Sequence, residues 1–240
     1  MAYVSGPVAD PVELLRLHVE ALFRRTPDGR LIESNETPPE PAPRVFVGRT
    51  TSGVVCHVHR DVPAPLAAEV AGLAASVPVL PTLAGDPAAY AAIEAAVAAA
   101  ASVAERSHGP AYVFAEPPHE LHADVVVIGP ERRDALTGPF AVFASQLEHI
   151  APFHAIVRDG AVVSACYCAR RTGDAAEAGV DTHPDHRGKG FATAVVNAWR
   201  IAIEASGRTA LYSTDFDNAS SQAVARRLGL RQYAETLSLT

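Results

Sequence analysis

Cysteine is scarce in this chain of 240 residues, which contains only three cysteines. Small secreted domains that depend on disulfides carry a dense, even set of cysteines, and no such framework is present. We therefore expect a cytoplasmic protein. Cys166 and Cys168 lie two apart in an apolar run, so on a strand they would share one face, and we expect two buried thiols rather than a metal or redox site.

Basic residues and long apolar runs are also few. Lys and Arg number 20 against 27 Asp and Glu, which gives a formal net charge of -7. Nucleic-acid-binding proteins normally carry a basic surface, so we expect no nucleic-acid partner. The most apolar run, residues 91–103, is shorter than the roughly 20 residues that cross a membrane. Residues 1–10 lack the pattern of an export signal, so we expect neither export nor a membrane anchor.

The first half of the chain predicts a small α+β region without a recognisable chemical motif. Asp10 suits an N-cap and Pro11 the first turn of a helix. The prolines within residues 34–43 exclude a helix or a central strand there. The predicted elements are a helix at 11–25, strands at 44–48 and 53–59, helices at 64–76 and 90–106, and a strand at 111–114. The proline-bearing stretch 116–119 predicts a boundary between a region 1–118 and a domain 119–240.

The second half shows clearer alternation of strands and helices. Asp159-Gly160 between two apolar runs predicts a hairpin, because glycine accepts a positive φ. The predicted elements are a strand at 125–128, helices at 130–136 and 142–149, strands at 154–158, 161–169 and 176–182, and an amphipathic helix that starts near Phe191. The apolar residues of this last helix recur every three or four positions and predict one buried stripe, which leaves Asn197 and Arg200 outside it.

A glycine-rich turn, Arg187-Gly188-Lys189-Gly190, leads into this helix. The first N–H groups of a helix have no partner within the helix, and the helix dipole adds about half a positive charge there, so phosphate oxygens are attracted. The glycines and Ala192 would let a bulky diphosphate reach these amides, and the two cations add charge. The turn therefore predicts a phosphate-binding loop rather than a plain strand-to-helix turn.

Two other phosphate-binding folds fit this turn less well. The Walker loop requires Gly-x-x-x-x-Gly-Lys-Ser/Thr, which is absent. A dinucleotide-binding fold would use the same glycines, with Asp215 at the end of the next strand as a ribose ligand. That fold places its first glycine directly after the strand, whereas residues 183–187 intervene here, and too little chain follows for its remaining strands.

Two motifs, in order, carry a resemblance to a known family. Arg187-Gly-Lys-Gly-Phe-Ala192 resembles the acyl-CoA pyrophosphate loop (Arg/Gln-x-x-Gly-x-Gly/Ala) of the GNAT superfamily of N-acetyltransferases, and residues 182–187 resemble its lead-in. Further on, Asn218-Ala-Ser-Ser221 and Ala225-Arg-Arg-Leu-Gly-Leu230 resemble the asparagine, helix and Leu-Gly-Phe close of the same enzymes. The resemblance covers about residues 124–240.

The resemblance implies an α/β (α+β) GNAT fold, with a central mixed, twisted sheet flanked by helices, and acetyl-CoA as a cosubstrate without a metal. It implies that residues 180–182 offer backbone groups to the pantetheine arm and that the loop amides hold the pyrophosphate. The residues assigned to cofactor binding in this way are Val180, Asp181, Thr182, Arg187, Gly188, Lys189, Gly190, Phe191, Ala192, Thr193 and Asn218. Arg226 or Arg227 either meets the 3′-phosphate or lies on a solvated helix face. The sequence does not indicate a role for residues 1–118. One hypothesis is that they form a degenerate copy of the same fold, but no internal repeat supports it.

Several residues are candidates for carrying out the chemistry. Acetyl transfer to an amine needs a base or a water chain to remove a proton. Many relatives have a glutamate five residues before the motif asparagine and a tyrosine seven residues after it, where this chain has Ser213 and Ala225. Glu177, on the predicted cofactor-binding strand, is the best remaining catalytic base, with a strand-edge charge as the alternative. Asp181 shares its face and could instead bind a cationic substrate. Further candidates are Tyr212, Asp215, Asp217 and Tyr233.

The function predicted is N-acetylation, in which an acetyl group moves from acetyl-CoA to an amine of a small molecule or peptide by direct attack in a ternary complex. A non-catalytic acyl-CoA-binding sensor or interaction module is the first alternative, favoured by Ser213 and Ala225. A dinucleotide-binding oxidoreductase is the second. His183, Asp185 and His186 are too crowded for a metal site, so we expect a plain loop there. The sequence leaves the oligomeric state open, a homodimer included.

Overall fold

The computed structural model describes residues 10–83 and 85–240. The chain divides into two compact units. The first unit takes in the chain up to Val113 together with residues 213–219 and 231–240, and the second takes in residues 114–212 and 220–230. The prediction that residues 1–10 lack an export signal concerns residues that, up to position 9, lie outside the described residues. None of the described helices is long and apolar enough to span a membrane.

The helices and strands lie along the chain in the following order. They are α1 (Pro11–Leu22), β1 (Phe23–Arg25), β2 (Leu31–Ser34), β3 (Val45–Thr50), β4 (Val54–Val58), α2 (Ala64–Ala75), α3 (Ala88–Ala100), β5 (Arg106–Phe114), β6 (Val125–Val127), β7 (His154–Arg158), β8 (Ala161–Arg171), β9 (Ala175–Thr182), α4 (Phe191–Ala205), β10 (Thr209–Ser213), α5 (Ala219–Arg227) and β11 (Leu230–Leu239). Short 3-10 helices occupy Pro130–Ala135, Gly138–Ser145 and Pro184–His186.

Helix α1 begins where its capping residues predict. The Asp10 carboxylate accepts a hydrogen bond from the Val12 N–H at 3.1 Å, and Pro11 occupies the first turn. The predicted end at residue 25 is wrong, because the chain from Phe23 leaves the helix to form the antiparallel pair β1–β2. The turn between these two short strands includes Gly29 at a φ of +86°.

The first unit builds its sheet in the order β4-β3-β11-β5. Strand β3 pairs antiparallel with both β4 and β11, and α2 and α3 bury Val70, Ile93 and Val97 in the core beneath. The prediction that α3 continues to residue 106 is wrong. Ala104 and Glu105 instead bond to the backbone of Thr240, and the following residues belong to β5, so strand pairing overrides the helix propensity of the alanines.

The second unit has a mixed sheet in the order β10-β9-β8-β7-β6. Strands β9 and β10 are parallel, and the other neighbours are antiparallel. The predicted hairpin is confirmed, with Asp159 and Gly160 at φ values of +50° and +82°. Of the segments predicted as helices, 130–136 is 3-10 helix up to residue 135, whereas 142–149 is 3-10 helix only up to residue 145 and continues as turns. The predicted fold class, mixed α/β with a central mixed sheet flanked by helices, is confirmed.

Helix α4 packs against β7, β8 and β9. Its buried residues include Val195, Trp199 and Ile203, which are fully inaccessible to solvent. Cys166 and Cys168 are buried on β8, as predicted. Burial raises the pKa of both thiols, so they behave as small apolar core residues rather than as nucleophiles.

Candidate active site

The site begins where β9 turns into α4. After Thr182 the chain makes the short 3-10 helix Pro184–His186 and then a turn in which Gly188 and Gly190 have φ values of +75° and +80°. Both values lie in the left-handed region, which side chains other than glycine rarely adopt. Gly190 is the N-cap of α4. The local conformation therefore explains why two glycines are needed at these positions.

The N-terminus of α4 is open. No side chain caps it, and a Cβ atom added to Gly188 or Gly190 would meet no atom within 4 Å. The first amides of a 15-residue helix therefore adjoin open space. Helix amides and the helix dipole together favour an anion at such a position.

Two exposed cations flank this opening and also fasten the turn. The Lys189 ammonium donates to the carbonyl of Asp185 at 3.1 Å, and Arg187 Nε donates to the carbonyl of Thr182 at 3.4 Å. Both groups keep further N–H donors, since an ammonium has three and a guanidinium five. The turn can therefore add positive charge to the anion-binding amides.

A cavity of about 380 Å³ adjoins the turn. Its lining residues are His119, Glu120, His122, Gly188, Gly190, Thr193, Ala194, Asn197 and Arg227. The hydroxyl of Thr193 is buried and has no hydrogen-bond partner among the described residues. A buried, unsatisfied hydroxyl costs free energy, so a ligand with acceptor atoms would be stabilised here. Of the two arginines considered from the sequence, Arg227 lines this cavity.

One wall of the cavity was not foreseen from the sequence. Asn197 is 2% exposed, and its side-chain amide binds the backbone of His119 twice, accepting from the N–H at 3.0 Å and donating to the carbonyl at 2.9 Å. Arg200 donates to the carbonyl of Glu116 at 2.7 Å. The prediction that these two α4 residues lie outside the buried stripe is wrong, because they hold the segment 116–119 against the helix.

Strand β9 has an unpaired edge next to the same turn. Its pairing with β10 runs only from Ala175 to Glu177, opposite residues 209–211. Residues 178–182 remain paired with β8 on the other side, and no strand of the described chain pairs with them on the β10 side. An unpaired strand edge offers N–H and C=O groups to an extended ligand that contains amides.

The family comparison agrees with this geometry. A family model for GNAT acetyltransferases matches residues 151–237, which include the glycine turn, α4 and α5. Over residues 151–237, the chain therefore belongs to the GNAT superfamily. The match spans both motifs that carry the resemblance in the sequence, so the family prediction is confirmed.

The comparison with solved structures finds several GNAT proteins, one of which, with a TM-score above 0.5, shares the fold. A GCN5-related N-acetyltransferase-like protein from Streptococcus suis is 15% identical, with a TM-score of 0.51 over 95% of this chain and 99% of that one. A GNAT-family acetyltransferase from Colwellia psychrerythraea is 12% identical, with a TM-score of 0.49 over 98% of each chain. A GNAT-family protein from Novosphingobium aromaticivorans is 22% identical, with a TM-score of 0.47 over 57% of this chain, which spans 65% of that protein. No curated protein sequence gave a significant match.

The residues predicted to bind the GNAT cofactor, apart from Asn218, belong to the second unit. Residues 180–182 end β9, and residues 187–193 form the turn and the first residues of α4. Asn218 belongs to the first unit, where its N–H donates to the carbonyl of Asp215 at 3.1 Å. The assignment of all these residues to cofactor binding stays a prediction.

Glu177, the predicted base, is held in an ion pair. It is 3% exposed, and its Oε2 lies 2.8 Å from Nη1 of Arg170 on β8. The carboxylate is therefore already engaged as one half of a structural ion pair. Asp181 is exposed and accepts a hydrogen bond from the Tyr167 hydroxyl at 2.9 Å. The catalytic role of Glu177 stays a prediction, and the ion pair argues against it.

Two of the further candidates, Tyr212 and Tyr233, also have partners within their own units. The Tyr212 hydroxyl lies 2.6 Å from that of Ser221, and the Tyr233 hydroxyl lies 2.6 Å from Nδ1 of His18 in the core of the first unit. Within the described residues, no group of three or more His, Cys, Asp or Glu side chains is arranged to hold a metal. The His183 ring instead accepts from the Asp185 N–H in a local turn.

Proposed function

We propose that this GNAT protein transfers an acetyl group from acetyl-CoA to an amine of a small molecule or peptide, by direct attack in a ternary complex in the cytoplasm. The observation that carries the proposal is the meeting, at one turn, of an uncapped helix N-terminus and the unpaired edge of β9. Acetyl-CoA supplies both features with a partner, because it contains a diphosphate and an amide-bearing arm, and it provides the acetyl group as a thioester.

Each part of the site has a role in this proposal. The amides of residues 188–193 would hold the diphosphate, and Arg187 and Lys189 would offset its charge. Backbone groups of residues 180–182 would pair with the pantetheine amides as an added strand does. The buried hydroxyl of Thr193 and the exposed Arg227 would serve further phosphate oxygens within the cavity. The acyl group never bonds to the enzyme, so no nucleophilic side chain is required.

Ligand-dependent melting tests the cofactor assignment. We expect acetyl-CoA to raise the melting temperature, whereas NAD and NADP leave it unchanged; at 100 times Kd the gain corresponds to about 2.7 kcal/mol. Gly190→Ala should remove most of this gain, because a methyl group would enter the open space above the amides. Gly207→Ala is the matched control, since Gly207 has a φ of +82° and equally open surroundings at the other end of α4. Equal loss of binding in both variants would contradict the assignment.

A non-catalytic acyl-CoA sensor is the second candidate. It is favoured by Ser213 and Ala225 at positions where relatives carry acid and base groups, and by the ion pair of Glu177. Release of free thiol from acetyl-CoA in the presence of an amine panel separates the two functions. Tight binding without amine-dependent thiol release would establish the sensor and exclude the transferase.

A further inference from the structure

The cavity in the second unit continues along α4 past the amides that can hold an anion. Its α4 side is formed by Gly190, Thr193, Ala194 and Asn197, which are spaced as one face of a helix. These positions cover about 10 Å of helix. The Ala194 N–H donates to the Gly190 carbonyl at 3.1 Å, so from Ala194 onwards the amides are satisfied within the helix. A diphosphate held by the first amides therefore leaves the rest of the cavity to another part of the ligand.

The segment 119–122 forms a second wall of this cavity, which we call the 119–122 wall. The Asn197 side chain fixes the start of the wall through its two hydrogen bonds to the His119 backbone. A helix residue whose side chain both accepts from and donates to one distant backbone position holds that position at a fixed distance from the helix. The family model matches residues 151–237, so the wall lies outside the matched range. It is a feature of this chain rather than of the family match.

The 119–122 wall presents two imidazole rings and one carboxylate, those of His119, His122 and Glu120. All three residues are exposed. Nδ1 of His122 accepts from the Asp124 N–H at 3.2 Å, which leaves the second nitrogen and the ring faces available. Nucleobases stack on flat aromatic side chains, histidine included. The wall is therefore suited to a flat heterocycle that carries N–H donors, and the Glu120 carboxylate makes it unsuited to a phosphate.

Arg227, the last residue of α5, supplies the cavity with a positive charge. Among the described residues, no hydrogen bond or ion pair engages its guanidinium group. The neighbouring Arg226 is equally exposed but does not line the cavity. A guanidinium binds a phosphate through two parallel N–H donors, and the buried, unpartnered Thr193 hydroxyl is a further donor in the same cavity. The cavity therefore has donors for a second phosphate group, apart from the diphosphate at the turn.

We propose that this cavity selects the acyl donor by its nucleotide end, with Arg227 binding the 3′-phosphate of CoA and the 119–122 wall packing against its adenine base. Adenine carries an amino group, which the Glu120 carboxylate can accept. The inference rests on the proposed use of acetyl-CoA and adds a donor specificity to it. An acetyl thioester of pantetheine without the nucleotide, such as one carried on another protein, leaves the cavity empty and is a poor donor.

The first test compares CoA with dephospho-CoA, which lacks only the 3′-phosphate, by isothermal titration calorimetry. We expect the wild type to bind CoA about fivefold more tightly, as is typical of an exposed ion pair, and added salt to reduce this ratio. Arg227→Gln should bring the ratio to about one and leave the affinity for dephospho-CoA unchanged. Arg226→Gln is the matched control and should keep the wild-type ratio. Equal affinities in the wild type, or an unchanged ratio in Arg227→Gln, would overturn the proposal.

The second test concerns the wall. Protein with 15N-labelled histidine rings is titrated with CoA and, separately, with 4′-phosphopantetheine, which has the pantetheine arm and a phosphate but no nucleoside. We expect the His119 and His122 ring resonances to shift with CoA alone. The double change His119→Ala and His122→Ala, which keeps the backbone bonds to Asn197, should weaken CoA binding at least about fivefold and leave 4′-phosphopantetheine binding unchanged. His149→Ala alters an exposed histidine of the same unit outside the cavity and should change neither. Ring resonances that ignore CoA would refute the role of the wall.

These measurements separate the nucleotide pocket from the proposed activity, because they record binding rather than turnover. A preference for CoA over dephospho-CoA that depends on Arg227, in a protein that never releases thiol, would refute the transferase and leave the pocket standing. Amine-dependent thiol release from a protein that binds CoA and dephospho-CoA equally would refute the pocket and leave the transferase standing. A protein that binds neither compound would overturn both.

Discussion

At the residue scale, His154 has an environment that differs strongly from that of a free imidazole in water. It lies on β7, is 8% exposed, and its Nδ1 is buried without a hydrogen-bond partner among the described residues. Burial lowers the pKa of His154 from 6.5 to about 4. The native state therefore holds a neutral imidazole at a pH where the unfolded chain binds a proton.

This difference predicts acid sensitivity. The His154 pKa is lower in the folded state, so unfolding takes up a proton below pH 6.5, and stability is lost as the pH falls from 6.5 towards 4. Linkage gives a loss of about 2 kcal/mol at pH 5 relative to pH 7.5. Urea unfolding of wild type and His154→Leu at both pH values measures it. The variant should lose about 2 kcal/mol less than wild type over this interval, and parallel losses would contradict the assignment.

Some site residues could be predicted from the sequence and others could not. The turn at Gly188 and Gly190 could be predicted because glycines at a helix start have a local physical reason, whereas its binding of phosphate stays a prediction. Asn197 and Arg200 could not be assigned, because a polar residue on a helix normally faces solvent. Here their burial depends on backbone groups of residues 116–119, some 80 positions away along the chain.

At the scale of elements, local signals predicted where structures begin better than where they end. The Asp159-Gly160 hairpin, the capped start of α1 and the whole of α4 follow from adjacent residues. The C-terminal ends of α1 and α3 were predicted too late, because β1 and β5 recruit the residues that helix propensity alone would keep. The end of a helix depends on partners that are distant in sequence.

Mutation of Asn197 tests how segment 116–119 is attached to α4. Asn197→Asp replaces the donor to the His119 carbonyl with a carboxylate, and Asn197→Leu removes both hydrogen bonds. We expect a loss of about 1–3 kcal/mol in unfolding free energy for each unsatisfied buried group, and faster hydrogen exchange of the His119 amide in Asn197→Leu. Because this segment lines the cavity, acetyl-CoA affinity should fall as well.

The matched control for this element is Asn35→Asp. The Asn35 amide likewise binds backbone carbonyls, those of Glu20 and Ala21 at 2.8 and 3.0 Å, but in the first unit. It should leave His119 exchange and acetyl-CoA affinity unchanged. Protection of the His119 amide at the wild-type level in Asn197→Leu would show that other contacts hold the segment.

At the scale of the whole molecule, the division into units depends on non-local pairing. The second half of the chain supplies residues 213–219 and 231–240 to the first unit, where β11 pairs with β3. The sequence near position 230 does not indicate that β11 pairs with β3. Strand partners more than 180 positions apart leave no periodic pattern in either segment. The division into 1–118 and 119–240, which used proline as a boundary marker, stays a prediction.

The rate at which the buried thiols of the second unit are labelled measures how often the folded protein opens. Cys166 and Cys168 are inaccessible and have raised pKa values, so in a Cys56→Ser background they should react with Ellman's reagent at pH 8 only after the protein opens. If acetyl-CoA binds only the native state, its addition at 100 times Kd should slow this labelling about 100-fold. Gly190→Ala should show far less slowing, whereas Gly207→Ala should match wild type. Rapid labelling of the native protein would mean that the thiols react without opening, and equal slowing in Gly190→Ala would mean that acetyl-CoA does not bind at this turn.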